Sequence, residues 1–181
     1  MNKALSVLIA STRSREHMFN NLMRFLKVQK TSEIEVLASI DNGEKTIGTK
    51  RNELLKASVG KYVCFVDDDD MISPYFVNKI VNATKNDSDC IGIKGIITLK
   101  NTEPRLFIHT IECKNWYEDN NVYYRNPNHL NPIKREIALD TMFPEISNQE
   151  DRMFSYWVQP KLKTETFIET PLYFYYPSSE H

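Results

Sequence analysis

Four consecutive aspartates, Asp67 to Asp70, are the residues whose type and spacing most directly suggest chemistry. They follow the apolar run Tyr62 to Val66, which is typical of a buried strand. In an extended chain Asp67 and Asp69 point to the same side, and two carboxylates there suit a hard divalent cation that also binds phosphate oxygens. A solvated acidic turn or an acidic helix start would explain the same run without a function. A calcium loop is excluded, because its glycine and terminal glutamate are missing.

Two other polar turns follow apolar runs in the same way. Ser11 to Arg15 follow Leu5 to Ala10, and Asp41 to Glu44 follow Ile34 to Ile40. Open α/β sheets bind ligands beyond the carboxyl ends of their strands. The three turns therefore predict one ligand site at one edge of a sheet.

The elements that must position these turns alternate between strand and helix in the first half of the chain. Phe19, Leu22, Met23 and Leu26 recur at helical spacing, and a second helix is predicted from about Thr49 to near Gly60. A third is predicted to begin with Ser73 as N-cap and Pro74 at its first position. This βαβαβα order predicts a parallel sheet with right-handed crossovers.

The second half predicts shorter and more varied elements. The predicted strands are Cys90 to Leu99, Arg105 to Ile111, Val122 to Arg125, Thr166 to Ile168 and Leu172 to Tyr176. A short helix is predicted over residues 133 to 140. Ser147 to Glu150 form a capping-box pattern, which predicts a helix that starts there and buries Phe154, Trp157 and Val158.

The composition narrows the class of protein. The 181 residues carry 23 basic and 24 acidic side chains, a net charge of −1, which argues against a protein dominated by nonspecific binding to nucleic acid or anionic membrane. No apolar run approaches the roughly 20 residues of a membrane helix, and the apolar start is interpreted as a first strand and not a signal peptide. Three widely spaced cysteines indicate neither a disulfide framework nor a zinc site, so we expect a reducing, cytoplasmic setting.

A family resemblance rests on three segments that occur in the expected order. Lys50 to Asp70 resemble the segment ARNxGLxxAxGxYIxFLDxDD of family-2-like glycosyltransferases of the GT-A fold. Ser6 to Arg13 look like the first strand and nucleotide loop of that family, and Glu150-Asp151 look like its ED pair. Two departures concern the nucleotide side: Ala10 to Arg13 replace Pro-Thr-Tyr-Asn, and Asp41-Asn42 replace a pair of acids.

The resemblance implies a fold and a division of the chain. It implies a single α/β domain of GT-A type, Rossmann-like, over residues 1–181, with a mostly parallel central sheet flanked by helices and a smaller antiparallel acceptor-side region. Residues 1–88 would be the nucleotide-sugar-binding half and residues 89–181 the acceptor-side half.

The resemblance also implies roles on the nucleotide side. Asp67 and Asp69 match the DxD acids, which hold Mn²⁺ or Mg²⁺ against a nucleotide diphosphate, and Asp68 lies close to the ribose. Asp41 matches an acid that contacts the nucleobase, and Arg51 a basic residue near the nucleotide. Two more residues are assigned to the nucleotide by loop position, Thr12 and Arg13.

On the acceptor side the resemblance assigns the catalytic base to Asp151. The capping-box pattern gives Glu150 a structural duty, and it is also a candidate acceptor-side residue. His129 precedes the region where such enzymes build the acceptor side, so it is a candidate for lining the site. His181 is a candidate late metal ligand. His109 is interpreted as a half-buried structural histidine. Four aromatic residues, Trp116, Tyr117, Tyr123 and Tyr124, could stack on a sugar ring or simply pack.

The predicted function is metal-dependent transfer of a sugar from a nucleotide-diphosphate sugar to an acceptor hydroxyl by inverting single displacement, with a UDP-sugar as the expected donor. The acceptor would be a glycan or another hydroxyl compound; nucleic acid is not indicated but stays open. Two alternatives remain at this stage. One is a phosphohydrolase with an aspartate nucleophile, for which Met71 stands where a Thr or Val is usual. The other is a nucleotide-sugar or glycan-binding module without turnover.

Overall fold

A mixed sheet of ten strands forms the centre of the computed structural model, which describes residues 3–99 and 102–176. The strands are β1 (Leu5–Thr12), β2 (Ile34–Asp41), β3 (Tyr62–Phe65), β4 (Met71–Ile72), β5 (Cys90–Ile97), β6 (Arg105–His109), β7 (Tyr117–Asp119), β8 (Val122–Arg125), β9 (Ile133–Lys134) and β10 (Glu165–Tyr175). The helices are α1 (Glu16–Val28), α2 (Ile47–Ala57), α3 (Phe76–Thr84), α4 (Arg135–Thr141) and α5 (Glu150–Val158). Over the described ranges, none of these helices has the length and apolar character needed to cross a bilayer.

The order of the strands brings the three predicted turns to one edge. The main path is β2-β1-β3-β9-β5-β6-β8-β7, and β10 pairs with β5 and β4. β1 runs parallel to both β2 and β3, as the alternation of strands and helices predicts. The carboxyl ends of these three strands therefore lie side by side, and the turns that follow them meet there.

The parallel half ends at β9, a two-residue strand that the sequence analysis placed inside a helix. Ile133 pairs antiparallel with Val63 of β3 and also with Cys90 of β5. The helix α4 starts only at Arg135, because the backbone of Ile133 and Lys134 is taken up by the sheet. β9 thus joins the parallel part of the sheet (β2-β1-β3) to the part that contains β5 and β6.

The second half of the sheet is mixed. β6 is antiparallel to β5 but parallel to β8, and β7 is antiparallel to β8. The two predicted late strands are one strand, β10, whose pairing with β5 shifts register on either side of Pro171. Pro171 lacks the backbone N–H that strand pairing uses, so the sequence predicts a break between two strands at this residue. In the structure the strand continues through it.

The core lies on both faces of the sheet. On one face Leu5 and Val7 of β1 share a cluster with Leu22 of α1 and Phe76 of α3, all of them fully buried. On the other face Leu8 packs with residues of α2, α4 and α5, including Phe154. The near-continuous apolar sequence of β1 reflects burial on both of its faces.

Two helix predictions differ from the structure in detail. Ser73 is not the N-cap of α3: its N–H donates to Leu172 O at 2.9 Å, and its Oγ accepts from Tyr75 N at 3.1 Å. Sheet pairing holds Ser73, so the helix begins three residues later, at Phe76. Trp157 is 43% exposed and not buried, because α5 packs through a stripe that includes Phe154 and leaves Trp157 beside it.

The segment that leads into α5 is fixed against the start of α2. Gly48 N donates to Ile146 O at 2.9 Å. A Cβ at Gly48 would lie 1.8 Å from Pro144 O, so only glycine allows this close approach. The contact brings residues 147–151 to the edge where the turns after β1, β2 and β3 meet.

Candidate active site

A cleft of about 630 Å³ opens at that edge of the sheet. Residues from both halves of the chain line it. Most of the predicted site residues are among them, namely Thr12, Arg51, Asp67, Asp68, Asp69, His129, Glu150 and Asp151. Arg13 and Asp41 do not border the cleft, and His181 lies outside the described residues.

The four aspartates form a turn, which we call the acid turn (Asp67–Asp70). Asp70 N donates to Asp67 O at 3.2 Å, and β3 ends at Phe65. The expectation of an extended chain with alternating side chains is therefore wrong for this segment. Asp67 and Asp69 nevertheless both line the cleft, because the turn carries them around its floor.

Asp67 is held by two side chains from other parts of the chain, one on each carboxylate oxygen. Its Oδ1 lies 3.1 Å from Arg51 Nη2, and its Oδ2 lies 3.1 Å from His129 Nε2. Burial disfavours its charged form, but His129 and Arg51 outweigh burial and hold the pKa of Asp67 well below its usual range. Asp67 is therefore an ionised carboxylate with both oxygens already in contact with the protein.

Asp68 and Asp69 share one arginine, Arg15. Arg15 Nη2 lies 2.9 Å from Asp68 Oδ1 and 2.5 Å from Asp69 Oδ2. The side chain of Asp68 is only 2% exposed, and its other oxygen accepts from Ser11 Oγ at 2.5 Å. Burial raises the pKa of Asp68. Asp69 keeps a 19% exposed side chain, so it is the more accessible of the two.

Asp70 faces away from the cleft and joins the acid turn to β10. Tyr173 Oη donates to Asp70 Oδ2 at 2.7 Å and accepts from Asp67 N at 3.1 Å. Tyr176 N donates to Asp70 Oδ1 at 3.0 Å. Burial, with repulsion from Asp67, raises the pKa of Asp70 to about 8. The fourth aspartate is thus a structural part of the turn.

Arg51 connects the acid turn to α5. Its guanidinium lies beside the rings of Phe65 and Phe143, with Cζ 5.5 and 5.4 Å from their centroids. Nη2 contacts Asp67, and Nη1 lies 3.0 Å from Glu150 Oε1. A buried guanidinium needs carboxylate partners, and here it has one on each side.

The capping box predicted at Ser147 to Glu150 does not form. Gln149 is the N-cap of α5, in the left-handed region at φ 65°, with no side-chain cap. The Glu150 side chain is 6% exposed and pairs with Arg51 instead of reaching back to the backbone. Burial raises the pKa of Glu150, although Arg51 counteracts this. The Glu150 carboxylate pairs with the buried guanidinium of Arg51, and this ion pair replaces the helix cap that the sequence pattern predicts.

Asp151 points into the cleft from the first turn of α5. Its side chain is 29% exposed, and its Oδ2 lies 3.9 Å from His129 Nδ1. His129 is therefore placed between two carboxylates, with Nε2 on Asp67 and Nδ1 towards Asp151. Asp151 Oδ1 accepts from Arg152 N at 2.7 Å, and the carboxylate remains partly exposed to the cleft.

The nucleotide-side predictions are only partly reflected in the cleft lining. Thr12 lines the cleft, whereas Arg13 is exposed outside it, and Arg15 provides the cation instead. Asp41 Oδ1 accepts from Lys50 Nζ at 2.8 Å, which lowers the pKa of Asp41 to about 2. Lys50 is 3% exposed and lines the cleft, so Asp41 adjoins it through this lysine.

One wall of the cleft contains residues that sequence reasoning missed. We call it the β6–β8 wall, formed by His109, Trp116 and Arg125. His109 is 1% exposed, not half-buried. Of the four candidate stacking aromatics, Trp116 lines the cleft, whereas the rings of Tyr117 and Tyr124 stack on each other at 4.9 Å. The aromatic run was the one signal of Trp116; no pattern singled out Arg15 or Arg125.

Asp67 and Asp69 suit a hard cation by the chemistry of their oxygens, and both are accessible from the cleft. Within residues 3–99 and 102–176, no three His, Cys, Asp or Glu side chains converge as a complete metal site. A cation between Asp67 and Asp69 would therefore need oxygens from another molecule, such as a diphosphate, to complete its shell. The residues fit a shared site and not a closed protein cage.

The sequence profile described as "Glycosyl transferase family 2" matches residues 11–154, a span that contains the acid turn, Arg51 and Asp151. The chain therefore belongs to glycosyl transferase family 2. No curated protein sequence matches the chain.

Solved structures define the fold more closely. The chain is similar to S. aureus TarS 1-349 in complex with UDP, with a TM-score of 0.72, 19% identity, and coverage of 96% of this chain and 60% of that one. The complex of the same TarS fragment with UDP-GlcNAc gives a TM-score of 0.70, 16% identity, and coverage of 97% and 59%. The likeness shows that the fold is of GT-A type, as the sequence resemblance implied. The chain spans about three fifths of the length of these TarS fragments.

Proposed function

We propose that the protein transfers a sugar from a nucleotide-diphosphate sugar, a UDP-sugar in the first instance, to an acceptor hydroxyl. The observation that carries the proposal is that Asp67, Asp69 and Asp151 face one cleft from two different elements. Family membership supports glycosyl transfer, and the TarS complexes with UDP and UDP-GlcNAc support the choice of donor.

On the donor side, Asp67 and Asp69 would hold Mn²⁺ or Mg²⁺ together with the diphosphate of the donor. When bound, the cation neutralises the charge that develops on the leaving diphosphate. Arg15 is one third exposed and could move from Asp68 and Asp69 to the diphosphate. Asp68 keeps its proposed place near the ribose, and Thr12 its place at the nucleotide.

Two further roles on the donor side are indirect. Asp41, proposed to contact the nucleobase, is already held by Lys50, so it would act with Lys50 at the rim of the cleft. Arg51 orients Asp67 and Glu150 by its two ion pairs, and this orienting duty is the role we propose for it near the nucleotide.

On the acceptor side, Asp151 would act as the base. An acceptor hydroxyl is a poor nucleophile until a carboxylate accepts its proton, and Asp151 is the partly exposed carboxylate beside His129. A single carboxylate acting on the attacking hydroxyl fits an inverting single displacement. His129 would hold the carboxylates of Asp67 and Asp151 in a fixed relative position. Glu150, through its pair with Arg51, would fix the start of α5.

The acceptor is proposed to be a glycan or another hydroxyl compound, and a nucleic acid is not excluded as one. The three free, buried thiols, Cys64, Cys90 and Cys113, fit the proposed reducing compartment such as the cytoplasm.

The test begins with donor binding. We expect calorimetry to detect UDP and UDP-GlcNAc binding that is at least about tenfold tighter with Mn²⁺, since the metal shares the charge of the diphosphate. Asp69→Asn should abolish the metal-dependent part, whereas Asp119→Asn, an exposed acid on β7, should keep it. Metal-linked binding that survives in Asp69→Asn would refute the metal role. Metal-linked binding without turnover on any acceptor would favour a binding module.

A further inference from the structure

The β6–β8 wall contains three polar groups that lack partners among the described residues. The Arg125 guanidinium stacks on Trp116, with Cζ 4.4 Å from the ring centroid, and no carboxylate of residues 3–99 and 102–176 lies within ion-pair distance of it. Burial lowers the pKa of Arg125, and Asp151 acts on it from farther away. An arginine that is largely buried without a counter-ion is costly for the free protein.

The second group is the imidazole of His109. Its Nδ1 lies 3.1 Å from Asn131 Oδ1, and Asn131 Oδ1 also accepts from Asn128 N while Nδ2 donates to Ile91 O. The oxygen of Asn131 therefore faces His109, so Nδ1 carries the proton. The opposite atom, Nε2, is buried without a hydrogen-bond partner among the described residues, and His109 itself lines the cleft.

The third group is Trp116 Nε1, a buried donor with no partner among the described residues. Trp116 lies directly under the guanidinium of Arg125, and the Cζ of Arg152 lies 5.6 Å from the same ring centroid. One wall of the cleft thus offers a cation, an N–H donor and a nitrogen acceptor.

A second arginine of this sheet, Arg105, has both an aromatic contact and a carboxylate partner. Arg105 on β6 also stacks on an aromatic ring, with Cζ 4.2 Å from the Tyr123 centroid. Its guanidinium pairs with Glu118 at 2.5 Å, and it does not line the cleft. Arg125 has the same aromatic support but lacks the carboxylate.

We propose that His109, Trp116 and Arg125 form a subsite for an oxyanion of the acceptor, a phosphate or a carboxylate, that has a hydroxyl beside it. This inference rests on the proposed function. Arg125 and Trp116 Nε1 would donate to the oxyanion, and His109 Nε2 would accept from the neighbouring hydroxyl. The acceptor class is therefore an anionic, hydroxylated molecule.

The position of the wall favours the acceptor over the donor diphosphate. Arg125 lies on β8, and β9, β5 and β6 separate β8 from β3, after which the acid turn begins. The acid that acts on Arg125 is Asp151, the residue proposed to receive the proton of the acceptor. The subsite thus adjoins the proposed base.

The test uses the full chain saturated with UDP and Mn²⁺, and calorimetry with glucose 6-phosphate, glucuronate and glucose as probes. We expect one of the two anions to bind at least about tenfold tighter than glucose, the size of one charge-assisted hydrogen bond. Arg125→Gln should remove that preference, and Arg125→Lys should keep part of it. Arg105→Gln, the matched control, should keep all of it.

Three outcomes would overturn the inference. They are equal binding of all three probes, equal loss in Arg105→Gln and Arg125→Gln, and loss of UDP affinity in Arg125→Gln, which would assign the arginine to the donor. A preference for phosphate over glucuronate, or the reverse, identifies the oxyanion. Failure of UDP binding by the unaltered chain would count against the proposed function and leave the probe comparison, repeated without UDP, as a separate result.

Discussion

The acid turn and the β6–β8 wall face the same cleft but treat charge in opposite ways. Every carboxylate of the acid turn has a partner from another element: Asp67 has Arg51 and His129, and Asp69 has Arg15. In the wall, Arg125 has aromatic contacts but no carboxylate within the described residues. Both regions are largely buried, so burial alone does not account for the difference.

The difference indicates which part of the site is complete before a ligand arrives. An uncompensated charge in a buried region is costly, and the chain itself compensates the acid turn. On the proposed function, a donor with a metal ion would exchange partners with Arg15, whereas an anionic acceptor would fill a position that is already open. Four measurements can break or sharpen this contrast.

The largest effect is expected for Asp151→Asn. An amide cannot accept the proton of the acceptor hydroxyl, so transfer should fall about 10³-fold, which is about 4 kcal/mol of barrier. UDP binding should not change, because Asp151 is not among the partners of the acid turn. The control is Asp140→Asn, an exposed acid of α4 that pairs with Lys161. Undiminished turnover would remove Asp151 as the base.

The next effect concerns the compensation within the acid-turn region. Arg51→Met leaves Asp67 without one of its two partners and leaves the buried Glu150 without its ion-pair partner. We expect the free energy of unfolding to fall by about 3 kcal/mol, measured by urea denaturation. Arg24→Met on the exposed face of α1 should change it by less than about 0.5 kcal/mol. Equal stability of the two variants would contradict the view that Arg51 compensates the turn.

The third effect is a pH dependence that arises in the wall. Burial, with Arg125 nearby, lowers the pKa of His109 to about 3, compared with 6.5 for the free side chain. The unfolded chain therefore binds a proton below pH 6.5 that the folded chain refuses. His109 contributes stability above pH 6.5, and this contribution is lost as the pH falls towards 3, by about 2 kcal/mol at pH 5.

The measurement compares the unfolding free energies of the unaltered protein and His109→Gln at pH 8 and pH 5. The unaltered protein should lose about 2 kcal/mol more than the variant between these two pH values. His17→Gln, an exposed histidine of α1, should follow the unaltered protein. Parallel losses in all three proteins would show that His109 titrates normally and that the wall is open to solvent.

The smallest effect concerns the joint between the acid turn and β10. Tyr173→Phe removes the hydroxyl between Asp67 N and Asp70, which should cost about 1 kcal/mol of stability. Tyr62→Phe removes a comparable buried hydroxyl, which donates to Ser88 O far from the turn. We expect similar losses of stability but weaker Mn²⁺-dependent UDP binding in Tyr173→Phe alone. Unchanged binding in both would show that the joint does not position the acids.

Much of the fold in the first half of the chain could be predicted from the sequence, because the patterns that indicate its strands and helices are local. The apolar runs of β1 to β3 and the helical spacing of α1 report burial within a few residues of each position. The carboxyl edge of a parallel sheet then brings the three turns together. The turns after β1 and β3 line the cleft, whereas the turn after β2 adjoins it through the contact of Asp41 with Lys50.

Other features depend on residues far apart in the chain and could not be predicted from local patterns. The Ser147 to Glu150 pattern indicates a capping box, but Glu150 pairs with Arg51, 99 positions earlier. β10 continues through Pro171 because the residues before and after this proline both pair with β5. Arg13 and Arg15 are equivalent by sequence, and the 3₁₀ turn over Arg13–Arg15 selects which one reaches the acids.

The sequence by itself determined the alternation of β1 to β3 with α1 to α3, the position of the acid turn after β3 and the family to which these residues point. The tertiary structure alone decided which charges are paired and which are left for a ligand. The physical reason is the separation along the sequence. Hydrophobic periodicity reports on residues a few positions apart, whereas Asp67 contacts His129, which is 62 positions later. Only the folded sheet brings such partners within 3.1 Å.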